Sequence, residues 1–90
     1  MPRKIPVISL EDFEAKAKKP LVMKSLVSNI AAGIKENLQS VNVAEIKNHD
    51  IIINVSRSEW EGGLNKALEF YIEREEYEEC SKIKKLINKL

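Results

Sequence analysis

From Leu64 to Leu90 the apolar residues fall on a helical period on both sides of a dense acidic run, and this pattern restricts the fold more than any other in the chain. Leu64, Ala67, Leu68, Tyr71 and Ile72 are spaced i, i+3, i+4, i+7 and i+8; after Arg74-Glu75-Glu76 the period restarts with Tyr77, Cys80, Ile83, Leu86, Ile87 and Leu90. The spacing predicts two short amphipathic helices folded back on each other rather than one long rod. Such a hairpin presents an apolar seam that something must cover.

The tract Glu76-Tyr77-Glu78-Glu79-Cys80-Ser81-Lys82-Ile83-Lys84-Lys85-Leu86-Ile87-Asn88-Lys89-Leu90 resembles the second half of the UvrB/UvrC, or UVR, motif. An aromatic, Tyr77, sits between glutamates, a small pair, Cys80-Ser81, follows, and basic and aliphatic residues then alternate from Lys82 to Lys89. The resemblance is carried by the last 27 residues, within a hairpin expected over 58–90. Because that family uses its helical hairpin to pair with another copy, within or between proteins, the resemblance implies a protein-docking element.

Met1 to Ile8 holds two prolines and two cations without a helical period, so an extended or disordered lead is expected before a single domain over 9–90. Ser9 is placed to cap a helix from Leu10 to about Lys18, with Glu11 and Asp12 in its first turn and Leu10 and Phe13 on its buried face. After Lys18-Lys19-Pro20, a longer helix is expected from Leu21 to Leu38, striped by Val22, Leu26, Ile30, Ile34 and Leu38. The period then changes to two. Val41 and Val43 would face one way and Ala44 and Ile46 the other, while Ile51, Ile53 and Val55 alternate with Ile52 and Asn54. With Asn48-His49-Asp50 as turn residues, this predicts a β-hairpin of Val41–Lys47 and Ile51–Ser56. Ile51-Ile52-Ile53, apolar on both faces, suggests that both faces are covered. Ser58-Glu59-Trp60-Glu61 fits a capping box for the third helix, and Gly62-Gly63 in its first turn suggests close backbone packing. Glu78 and Lys82 are in the favourable i, i+4 order for an ion pair. The fold expected is therefore α+β: N-terminal helices, a β-hairpin and a C-terminal antiparallel helical hairpin.

Ninety residues with 43% apolar composition support one modest core. A chain of this size buries only about 60 to 65% of its unfolded surface, so association between copies would add useful stability and a homo-oligomer, dimer or larger, is expected. Fifteen basic and fourteen acidic side chains leave a net charge of +1, which argues against a dedicated phosphate binder. A single cysteine, Cys80, on an apolar face suits a buried role in a reducing compartment such as cytoplasm. No signal-peptide core and no apolar run near the roughly 20 residues needed to cross a bilayer is present, so an intracellular protein away from membranes is expected.

Residues suited to chemistry are few. His49 is the only histidine and has no cysteine or histidine cluster with which to complete a metal site. Gly62-Gly63 lacks the lysine-serine ending of a phosphate loop, Glu75-Glu76 and Glu78-Glu79 lie on a polar face where carboxylates stay hydrated, and Cys80 has no adjacent base. No catalytic residue, cofactor or metal is assigned, and a non-enzymatic protein is expected. The expected function is protein–protein interaction: a small adaptor or inhibitor, of a size that suits a bacterial or phage accessory protein, docking through apolar helical surfaces. The interface residues are Trp60, Leu68, Tyr71, Tyr77, Ile83, Ile87 and Leu90. The alternative is a small nucleic-acid-binding regulator using lysine-rich faces, with Lys16, Lys18 and Lys19 as contacts; five glutamates between residues 73 and 79 weigh against the second lysine cluster, Lys82 to Lys89, in that role.

Overall fold

A computed structural model describes residues 5–14 and 19–90. Its elements are β1 (Val7–Ile8), α1 (Leu10–Glu14), α2 (Lys19–Lys35), β2 (Ser40–Ile46), β3 (Ile51–Ser56), a 3-10 turn over Arg57–Glu59, α3 (Trp60–Glu73) and α4 (Tyr77–Asn88). This is an α+β fold. A three-stranded sheet of order β1-β2-β3 carries α2 against one face, and α3 and α4 form the helical hairpin.

The amide of Asp12 donates to Ser9 Oγ at 3.0 Å, which is the cap expected for α1. The long helix ends three residues short of Leu38 because Asn37 turns left-handed, φ 56°, and the Leu38 amide bonds back to the Gly33 carbonyl at 2.9 Å. That closure satisfies a carbonyl the helix would otherwise leave open. Asn48 and Asp50 are also left-handed, φ 66° and 50°, which lets four residues turn β2 into β3.

The lead contributes a strand. Val7 and Ile8 pair in parallel with Glu45 and Ile46, so Ile8 is buried beside Ala44 and Ile46. Strict alternation along β2 is broken by a bulge between Asn42 and Ala44. Val41 lies opposite Val55, Ala44 opposite Ile53 and Ile46 opposite Ile51, which puts all six on one side of the sheet; on β2, Val41, Ala44, Ile46 and the extra residue, Val43, are all buried. The expected opposition of Val41 and Val43 to Ala44 and Ile46 is therefore incorrect. Ser25 of α2 donates to the Val43 carbonyl at 2.5 Å, and Asn29 Nδ2 donates to the Ser25 carbonyl at 2.8 Å. Two buried polar side chains thus tie the irregular strand to the helix.

Trp60, Ile30, Leu64 and Ile83 are the largest fully buried side chains and bring α2, α3 and α4 together over β2. The capping box uses Ser56 and Glu59 rather than Ser58 and Glu61: the Ser56 amide donates to Glu59 Oε1 at 3.1 Å, and the 3-10 turn precedes α3. Close packing at Gly62-Gly63 is not found. A Cβ at Gly62 would meet nothing within 4 Å, and one at Gly63 would make ordinary contact with Leu26 at 3.6 Å.

Candidate interaction surface

The hairpin places its apolar residues in two environments. Ile83 and Trp60 are 0% exposed and Tyr71 is 6% exposed, so these three are core rather than interface residues. The reason is geometric: α2 and β2 cover the middle of the seam from within the same chain. Leu68 and Ile87 are half-buried against that core. Tyr77, at 63% exposure, and Leu90, at 46%, are the expected interface residues that stay open. The Trp60 indole donates to the Val55 carbonyl at 3.0 Å, with the Arg57 guanidinium 5.3 Å from its ring centroid, which satisfies its polar edge internally.

Further exposed apolar area lies on the sheet. Ile51 and Ile52 are 47% and 50% exposed, so the two-sided cover expected for this run is absent. Helix α2 lies against β2, the central strand, and leaves the outer strand β3 only partly shielded. Ile53 and Val55 of β3 line an open groove of about 570 Å³ with Val22 and Leu26 of α2 on its other wall. Gly62 and Gly63 border this groove, where their lack of side chains widens it. The other face of the sheet is polar at Ser40, Asn42, Asn54 and Ser56, with Asn54 Nδ2 donating to Asn42 Oδ1 at 2.9 Å.

A second groove, of about 470 Å³, runs between α2 and α4. Val27, Ala31 and Leu86 are its apolar lining, and Lys24, Lys82, Lys85 and Lys89 stand around it. Glu79 is the one acidic residue of the lining and receives Lys82 at 3.2 Å, an i, i+3 pair in place of the expected partner Glu78. Lys82, Lys85 and Lys89 were visible in sequence as a basic run. Their meeting with Lys24, 58 positions before Lys82, depends on how α2 and α4 cross.

The residues expected for nucleic-acid contact are not assembled into one described surface. Lys16 and Lys18 lie outside the described residues, and Lys19 Nζ stands 5.7 Å from the Phe70 ring centroid. His49 is exposed on the β2–β3 turn, and Cys80 is a buried free thiol. Among the described residues, no three histidine, cysteine, aspartate or glutamate side chains converge to hold a metal ion, and no helix is long and apolar enough to cross a membrane. Tyr71 has a phenol pushed above its ordinary pKa of 10.0, first by burial and then by the negative charges of Glu79 and Glu76, with Arg74 opposing. Compared with protein-family models, with characterised proteins and with solved structures, the chain matches none.

Proposed function

We propose that this chain is a non-enzymatic protein-interaction module, a small adaptor or inhibitor that docks on a protein partner and associates with copies of itself. The observation that carries this reading is β3, an uncharged edge strand of six residues beside an open apolar groove. Natural edge strands are usually blunted by charge, proline or brevity, because unpaired main-chain groups recruit other strands. The opposite edge follows that rule: β1 has two residues and Pro6 precedes it. Among the described residues nothing comparable protects Ile51–Ser56. A partner segment laid along β3 would pair its main chain there and place alternate side chains over Ile53, Val55 and Leu26. Docking is thus assigned to the sheet edge rather than to the hairpin seam, whose centre the chain itself covers.

The test uses Ile51→Lys with Ile52→Lys, which puts two charges on the edge at positions that are about half exposed. Partners captured from the native cell by the wild-type chain are reconstituted with purified protein. The expected result is at least a tenfold loss of affinity for the variant, together with slowed amide exchange over 51–56 in the wild-type complex. Undiminished binding of every partner by the variant removes the reading. Capture of nucleic acid alone, released as salt rises, replaces it with the phosphate-binding alternative.

A further inference from the structure

We infer that the lysine-rimmed groove between α2 and α4 receives the acidic α3–α4 turn of a second copy of this chain, joining copies head to tail. Four lysines and one glutamate give the groove a net of three positive charges in a chain whose total is +1. Its floor of Val27, Ala31 and Leu86 is apolar, so the complementary ligand must bring both negative charge and apolar side chains. A phosphate backbone offers only the first.

The turn offers both. Glu73, Glu75, Glu76 and Glu78 are exposed around it, and Ile72 and Tyr77 project among them at 47% and 63% exposure. Arg74, the one cation, is folded back: its Nε is 2.6 Å from Glu76 Oε2 and its guanidinium lies 5.2 Å from the Phe70 ring centroid. Four glutamates less one arginine leave three negative charges, equal and opposite to the groove. Tyr77 opens α4, whereas Leu86 lies nine residues further along the same rigid helix, a separation of roughly 14 Å. The groove follows this same helix from Glu79 to Lys89, and a turn continuous with the helix cannot fold back along it. The contact is intermolecular, and because the two patches differ it is heterologous, extending copies into a ring or an open row. This contact is separate from the β3 edge and stands or falls independently of it.

The experiment is a charge exchange read by sedimentation velocity. The wild-type chain should associate at low ionic strength and dissociate as salt is raised to about 0.5 M, where the screening length falls to a few ångströms. Lys85→Glu with Lys89→Glu should weaken self-association at least tenfold, and so should Glu73→Lys with Glu75→Lys, since each variant opposes like charges. Mixed in equal amounts, the two should reassemble, an outcome that unfolding of either cannot produce. The Ile51→Lys, Ile52→Lys variant should associate as the wild type does. A wild-type chain that is monomeric at low salt overturns the inference, and so does a mixture that stays dissociated. Oligonucleotide binding by a monomeric wild-type chain that is lost in the lysine variant overturns it in favour of a phosphate ligand.

Discussion

Gly33 of α2 faces the Trp60 ring so closely that a Cβ on the glycine would lie 2.7 Å from Trp60 Cη2 and 2.7 Å from Val41 Cγ1. Trp60 cannot yield, because it is fully buried and its indole nitrogen is bound to the Val55 carbonyl. The glycine is therefore required by packing, not by backbone conformation, since no glycine of the chain has positive φ.

Gly33→Ala follows directly. Alanine gains about 1 kcal/mol of helix propensity, but overpacking against a rigid ring costs about 1 to 3 kcal/mol. A net loss of up to about 2 kcal/mol is expected in urea unfolding. Val41→Ala removes one of the two obstructing atoms, so a double-mutant cycle should show favourable coupling between the sites. Additive losses would place the strain elsewhere.

Much of the architecture was legible because it rests on local rules. Helical spacing from Leu64 to Leu90, Ser9 as a cap, and Asn48 and Asp50 as left-handed turn residues each specify their own neighbourhood. The features that escaped are long-range. Val7–Ile8 is too short to carry a period and becomes a strand only by pairing with Glu45–Ile46. The bulge at Val43 reverses the facing of half of β2, and the crowded glycine is the isolated Gly33 rather than the Gly62-Gly63 pair. For the surface, periodicity located the apolar seam but not its cover: Trp60, Tyr71 and Ile83 meet α2 and β2 internally, whereas the Ile51-Ile52 edge, expected to be covered, is open.

Ser25→Ala tests how the irregular strand is held. The substitution removes the hydroxyl that donates to the Val43 carbonyl and that Asn29 Nδ2 also approaches at 3.1 Å. An acceptor left unpaired in a buried site costs about 1 to 3 kcal/mol. Equilibrium unfolding should show a loss in that range, and amide exchange should quicken around residues 42–44 before it does in α4. A loss confined to a few tenths of a kcal/mol would mean that the bulge does not depend on this bond.

Tyr71 makes the stability sensitive to alkali. A phenol with a raised folded pKa holds its proton more tightly in the native chain than in the unfolded one. Its contribution is complete below about pH 10, the unfolded value, and is lost as the pH rises through the raised folded value. Tyr71→Phe removes that titration while keeping the buried ring. Thermal unfolding followed from about pH 8 to about pH 11 should fall more steeply above about pH 10 in the wild type than in the variant. Parallel curves would show that ionisation of Tyr71 is not coupled to unfolding.

Gly62 separates stability from docking. A Cβ there meets nothing within 4 Å, and the position lies within α3, so Gly62→Ala should stabilise the chain by about 0.5 to 1 kcal/mol through the unfolded state and helix propensity. The same methyl group would project at the border of the groove beneath β3. If a partner segment seats there, the more stable variant should bind it more weakly, whereas Gly33→Ala should lower stability without a direct effect on affinity when measured under conditions where it is folded. The pair forms a crossed control: one glycine holds the core together and the other leaves the edge open. Calorimetric melting with binding titrations on the same preparations reads both effects, and equal affinity of Gly62→Ala and wild type would move the partner off this groove.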